Sequence, residues 1–434
     1  MSLLLNLPIE VGSLILSKWL HPLAVCRLEV AHCAHELRSN LMVLYQYVNT
    51  TLQCPSCHSK VNTHLQLQWI TKRNVKMSSL TVHEPAFPNS AAQLLIHLIK
   101  RSGRYLLDVA IIGNTAAFDS FLQALADHCA SLKILWLSDC TFTEKSSSTF
   151  CILLRRLGAL TELNLQNFLG LKLDCFDGLQ CPSITELSFN DDDDMGWECD
   201  RMKLVKSCTN LKKYYQCWGV IDLSALPMNL EELNMSFCEI AEVVDDSISF
   251  PCVRKLTQTS DIMDESLLRF FPNVTKLDLA HNDGVTLESI ALMEDFGSKL
   301  TKLTLAYCPN LDEEALTILC AKCKTLEYID LSSTFLSPDV YADVLDACPL
   351  LRSVRFESNE LSDEAMFQFA RAPITHLSLR NTRGYTEVGI FALLKSTTLE
   401  KLALDNALIN PLVKLMAKEW CPNLSLCEWF APED

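Results

Sequence analysis

Cys54-Pro55-Ser56-Cys57-His58 is the one compact stretch whose residue types and spacing could do chemistry. Two cysteines two residues apart, followed by a histidine, can attach a c-type haem or supply half of a zinc site. Haem attachment needs an export route, of which the sequence carries no sign. Zinc needs four donors, and only His58, His64 and His83 follow nearby, with no second Cys-x-x-Cys. The expected structure is a turn ahead of Leu65-x-Leu67-x-Trp69, with zinc the alternative. Asp191-Asp192-Asp193-Asp194, near Glu198 and Asp200, gathers carboxylates but lacks the alternating ligands and central glycine of a calcium loop. A solvated loop is expected there. No glycine-rich phosphate loop, His-Glu-x-x-His or nucleophile motif occurs. No catalytic, cofactor or metal site is therefore expected, and the chain reads as a non-enzyme.

Composition narrows the partners. A formal charge of −16 on 434 residues repels nucleic acid and anionic membranes at long range. No apolar run reaches the ~18 residues of a membrane span. Met1 to Leu20 lacks a basic leader and is broken by Asn6, Pro8 and Glu10, so no signal peptide is expected. The 20 cysteines are spread through the chain. Together these features predict reduced structural thiols in a cytoplasmic or nuclear protein. Asn49-Thr50-Thr51 and Asn273-Val274-Thr275 fit the glycosylation pattern, which means little without secretion.

The elements that must position any site come from a recurring phrase, Leu-x-x-Leu-x-Leu. It is clearest at Leu132/Leu135/Leu137, Leu160/Leu163/Leu165, Leu300/Leu303/Leu305 and Leu399/Leu402/Leu404. Looser copies start at Met77, Leu106, Ile184, Leu211, Leu230, Val253, Val274, Leu326, Leu351, Ile374 and Leu424, making fifteen units at intervals of 19 to 29 residues. Such a period marks a solenoid in which each repeat touches only its neighbours. In the unit from Leu300 to Leu326, alternate leucines face inward on a short strand and Cys308-Pro309-Asn310 turns the chain. Asp312-Glu313-Glu314 then opens a helix with carboxylates at its positive end, and Ala315, Leu316, Leu319 and Cys320 share one face. The next unit offers Ser337-Pro338-Asp339 as its helix start. Units between Ile184 and Val274 are short and replace leucines with Gln216 and Gln258, which predicts irregular segments there.

Cys129, Cys181, Cys208, Cys323, Cys348 and Cys421 each stand three residues before an opening apolar residue. Cys140, Cys238 and Cys308 each stand three residues after the last apolar residue of a strand phrase. With Leu361-Ser362-Asp363-Glu364-Ala365 echoing the helix start, residues 105–434 resemble the cysteine-containing subclass of leucine-rich repeats. The resemblance implies an α/β right-handed solenoid, a horseshoe with parallel strands on its concave face and helices on its convex face.

Residues 1–50 lie outside the period and read as a small all-α segment, and 51–104 as a connecting or capping segment that holds the first repeat. Leu7-Pro8-x-Glu10-Val11, Leu14-Ile15-Leu16 and Leu20, with Arg27-Leu28-x-Val30 more loosely, resemble an F-box. That resemblance implies docking onto a Skp1-like adaptor through Leu7, Pro8, Ile15, Leu16 and Leu20. His21-Pro22-Leu23 stands where the family has an acidic residue and leucine, and its closing basic-x-Trp-Arg is absent. The alternative is a helical cap over the first repeat.

The x positions of the phrase face outward. Glu162, Asn164, Glu186 and Glu232 occupy them early, and Lys255, Lys276, Lys302, Arg355, His376, Arg380 and Lys401 late, which predicts a basic concave face toward the C-terminus. Trp136, Tyr215, Tyr307 and Tyr328 stand among these charges. Aromatic and arginine side chains anchor interfaces, so Tyr307, Tyr328, Arg355, His376 and Arg380 are the expected partner-binding residues, for an acidic or phosphorylated protein segment. The expected function is substrate recognition in an SCF-type cullin ubiquitin ligase. A leucine-rich-repeat scaffold or inhibitor unrelated to ubiquitin is the alternative.

Overall fold

Every leucine phrase becomes a strand because its alternating apolar side chains can be buried on one side only when the chain is extended. The computed structural model describes residues 49–53, 76–83, 89–113, 117–172, 176–190, 201–241, 248–259, 265–286, 297–405, 408–421 and 424–427. The adaptor-facing candidates Leu7, Pro8, Ile15, Leu16 and Leu20, the Cys54–His58 motif and the Asp191–Asp194 run lie outside the described residues. The chain divides into two compact units, Met1–Tyr215 with Ala225–Pro227, and Gln216–Ser224 with Met228–Asp434.

In the first unit, β1 (Asn49–Gln53), β2 (Lys76–His83), β3 (Asp108–Ile112), β4 (Ile134–Ser138), β5 (Glu162–Gln166) and β6 (Glu186–Asn190) pair successively, all parallel. Strand β1 precedes the first leucine phrase. The register sets Val109, Leu135, Leu163 and Leu187 in one row, each 0% exposed. Helices α1 (Asn89–Ser102), α2 (Phe118–His128), α3 (Glu144–Arg156) and α4 (Met202–Ser207) follow β2, β3, β4 and β6. Thr143 opens α3 by accepting from Ser146 N while Ser146 Oγ accepts from Thr143 N, a reciprocal cap. Phe142 meets Phe118, Phe150 and Phe168 edge-on at centroid distances of 5.1, 5.5 and 6.3 Å and fills the layer between strands and helices.

The residues of β7 (Lys213–Ile221) divide between the two units. In the second unit, β8 (Glu232–Ile240), β9 (Lys255–Thr257), β10 (Lys276–Asp278), β11 (Lys302–Thr304), β12 (Tyr328–Asp330), β13 (Ser353–Arg355), β14 (His376–Ser378), β15 (Lys401–Ala403) and β16 (Ser425–Cys427) form a second parallel succession. Short 3-10 turns, Leu223–Ala225 and Glu265–Phe270, stand where the shortest repeats leave too few residues for a helix. Longer repeats hold α5 (Glu313–Lys322), α6 (Val340–Ala347), α7 (Asp363–Arg371), α8 (Glu387–Leu393) and α9 (Pro411–Trp420). Asp312, Ser362, Thr386 and Asn410 cap four of them, each side chain accepting a first-turn N–H. Ser337 does not cap α6, which begins at Val340 without a side-chain cap.

The two cysteine slots now have physical roles. Three residues past the inward apolar residue, a side chain reaches back to a backbone carbonyl of the preceding turn. Cys308 Sγ donates to Leu279 O at 3.2 Å, Asn359 Nδ2 to Leu331 O at 2.8 Å and Thr382 Oγ1 to Phe356 O at 2.8 Å. Cys140 contacts Ile111 O in the same way at 3.8 Å. The other slot ends helices: Cys129, Cys208, Cys323, Cys348 and Cys421 are C-cap residues, and all five are buried. A thiol is small enough to sit where the chain turns back into the core. Both units are thus α/β leucine-rich-repeat solenoids.

Candidate protein-binding face

Between the inward leucines of the second unit, the outward positions of successive strands fall into columns. Lys255, Lys276, Lys302, Tyr328, Ser353, His376 and Lys401 form one. Thr257, Asp278, Thr304, Asp330, Arg355, Ser378 and Ala403 form the next. Tyr328, Arg355 and His376 therefore come together on adjacent strands β12 to β14. Tyr307 leaves the end of β11 and Arg380 the end of β14.

Their exposure differs from the sequence expectation. Tyr328 is only 7% exposed, because Lys302 Nζ lies 4.8 Å from its ring centroid and its hydroxyl donates to Asp330 Oδ2 at 3.4 Å. Burial pushes its phenol well above the usual range. His376 is 8% exposed, with Nδ1 2.8 Å from Thr375 Oγ1. Arg355 donates from Nη2 to Glu357 Oε1 at 2.9 Å, and its Nε stands 3.6 Å from Asp330 Oδ2. Ser332 Oγ donates to Asp330 at 2.6 Å and Ser378 Oγ to Glu357 at 2.5 Å. These residues make a closed polar layer on the sheet, with both carboxylates already engaged by their neighbours. Burial raises Asp330 and, one strand pair earlier, Asp278 above the ordinary carboxylate value.

The expected basic face is corrected accordingly. Asp278 and Asp330 stand in the column beside the lysines, and Lys255 pairs with Glu232 at 2.6 Å. The face is mixed in charge because carboxylates stand on or beside the cationic strands β9 to β13. The sheet face of the first unit is acidic around Trp136, which is 40% exposed. Glu162 there is raised by burial and by the negative charges of Glu186 and Asp108.

Among the described residues, the two most exposed aromatics, Phe335 and Tyr307, follow the ends of strands. His281, Tyr307, Ser333, Ser358 and Asn381 occupy the same step of successive repeats, all left-handed with φ between 53° and 58°. The N–H groups of His281, Tyr307, Ser333 and Ser358 donate to the next repeat's carbonyls at 2.8–2.9 Å. Tyr307 is 49% exposed and lies flat on His281, with centroids 4.4 Å apart and planes at 7°. Phe335 is 78% exposed at φ 56°, its N–H bound by Asn359 Oδ1 at 3.2 Å. Sequence reasoning missed His281 and Phe335. The available signal for His281 was its recurrence two residues past an inward leucine.

Among the described residues, no group of three or more His, Cys, Asp or Glu could hold a metal ion. No described helix is long and apolar enough to cross a membrane.

No protein-family model and no curated protein matches the chain. Among solved structures, it is similar to one titled as a complex of Rad7 and Elc1 in yeast, at 16% identity and a TM-score of 0.45, covering 80% of this chain and 88% of that one. The TLR13–ssRNA13 complex matches at 14% identity and a TM-score of 0.43, over 76% of this chain and 52% of that one. The tropomodulin C-terminal domain of Caenorhabditis elegans matches at 17% identity and a TM-score of 0.27, over 32% and 92%.

Proposed function

We propose that this chain is a non-enzymatic recognition subunit that binds a protein segment along the sheet face of its second unit. The observation that carries this reading is the fixed aromatic step at the strand ends, Tyr307 flat on His281. Large rings held in place bury area at little entropic cost, which is why such side chains anchor interfaces. Tyr307 and Arg380 are the outer contacts, and Tyr328, Arg355 and His376 form the base beneath them. An acidic or phosphorylated segment is the proposed ligand, its charge met by Arg380 and by the lysines that punctuate a face otherwise mixed in charge. The F-box-like motif at Leu7, Pro8, Ile15, Leu16 and Leu20 supports a further role, delivering that ligand to a Skp1-containing cullin ubiquitin ligase in the cytoplasm or nucleus.

Co-precipitation with Skp1 tests the delivery role. The full chain is expected to retain Skp1, and a Leu7→Ala/Pro8→Ala/Ile15→Ala variant to lose it. No retention by the unaltered chain overturns the ligase reading. A scaffold or inhibitor unrelated to ubiquitin is the second reading. It is favoured by the position of the aromatic step, which lies wholly in the second unit and asks nothing of residues 1–50.

A further inference from the structure

The helix side of the second unit carries an open apolar groove between α7 and α8, separate from the sheet face. At their starts these helices are pinned together. The Asp363 carboxylate accepts from Thr386 N at 2.8 Å, Thr386 Oγ1 at 2.7 Å and Gly389 N at 3.1 Å. Gly389 permits that approach, since a Cβ there would stand 2.5 Å from Asp363 Oδ1 and 2.9 Å from Met366 Cγ. One turn further on, the small Ala370 and Ala392 leave a groove of about 480 Å³. Phe367, Val388 and Phe391 line it, with Phe367 36% and Val388 57% exposed.

The charge along this groove is one-sided. Its two ionisable lining residues are cations, Arg371 and Lys395, at the ends of the two helices. The carboxylates of the first turns are engaged locally: Glu364 accepts from Gln368 Nε2 at 3.5 Å and Glu387 from Asn410 Nδ2 at 3.1 Å. Lys395 Nζ stands 5.4 Å from the Trp420 ring centroid, and Trp420 meets Phe391 edge-on at 6.2 Å. The apolar surface therefore continues onto α9, where Trp420 is 40% exposed.

We infer that this groove docks an amphipathic helical segment of a partner protein. Its bulky apolar side chains would enter between α7 and α8, and its carboxylates would meet Arg371 and Lys395. Ridge-into-groove packing suits a helix laid between two helices. The cationic end of the groove, Arg371 and Lys395, favours an acidic partner over a basic one.

Fluorescence anisotropy with two synthetic four-turn peptides tests this. Both carry Leu and Phe at helical spacing on one face; one has Glu on the other face, and its counterpart Lys. The Glu peptide is expected to bind at least about tenfold tighter, a difference of about 1.4 kcal/mol. Arg371→Glu/Lys395→Glu should abolish or reverse that preference. Val388→Glu, at an exposed position, should weaken the Glu peptide by a similar factor. Equal affinity for the two peptides, no binding of either below millimolar concentration, or an unchanged affinity in Val388→Glu overturns the inference. So does a concentration-dependent dimer in light scattering that Val388→Glu dissolves, since the groove's occupant would then be a second copy of this chain.

Discussion

Asn359 shows how much one side chain can hold in a turn. Its Nδ2 donates to Leu331 O, while its Oδ1 accepts from the N–H groups of both Thr334 and Phe335. Asn359→Ala strands three buried or half-buried backbone groups and should cost about 2–4 kcal/mol in urea unfolding. Thr382 and Cys308 do the same work with one donor each, so the cysteine pattern of the sequence was a readable sign of this slot. The asparagine and threonine versions were not, because neither residue is distinctive outside its three-dimensional place. The exposure of Tyr328 and His376 was equally illegible. Outward register is visible in the phrase, but Lys302 covering the Tyr328 ring is not. Burial raises Cys129, Cys208 and Cys323 to about 12 and Cys308 to about 11. At pH 8 their thiolate fraction is therefore on the order of one part in a thousand or less. Thiol labelling followed by mass spectrometry should modify the exposed Cys252 early, and these four only on unfolding.

At the level of the elements, the pair α7–α8 depends on a carboxylate that caps a helix other than its own. Hydrogen bonds from the Thr386 backbone and hydroxyl and from Gly389 N hold the Asp363 carboxyl below the usual range. A lowered value means the folded state favours the charged form. The stabilisation is therefore complete above the unfolded value near pH ~3.9 and is lost as pH falls through the folded one. Asp363→Ala should cost about 1 kcal/mol at pH 7 in chemical unfolding, and the gap between variant and parent should close toward pH 3. Asp330 has the opposite sign. Burial raises it, so its contribution is full below the unfolded carboxylate value and declines as pH rises through the folded one. Asp330→Asn keeps an acceptor for Ser332 and should remove the part of the stability decline that falls between the unfolded carboxylate value and the raised folded one, measured by thermal unfolding from pH ~4 upward. Helix caps such as Asp312 and Ser362 were legible as an acidic or hydroxyl residue before an apolar face. The α7–α8 groove was not, since it follows from how closely Gly389 lets two helices approach.

For the whole molecule, the fifteen leucine phrases each became a strand, and within each unit the paired strands run parallel in succession, because burial of alternate side chains is a local requirement met turn by turn. What the period did not reveal was the division into two units, near the short repeats around Gln216 and Leu230. A chain whose turns touch only their neighbours responds locally to damage. Leu303→Ala, at a residue 0% exposed, should cost about 3 kcal/mol. Hydrogen exchange should show lost protection in β10 to β12 and unchanged protection in β15. The reach-back donors add a consequence for how such a chain can change length over generations. Cys308, Asn359 and Thr382 each complete a bond whose acceptor lies one turn earlier. Duplicating one full turn adds a donor together with an acceptor, and deleting one removes both, so the remaining pairs stay matched. Gaining or losing half a turn orphans a carbonyl inside the stack. Inheritance of this fold is therefore quantised, and its lineage should differ by whole turns, with fractional changes confined to the loops.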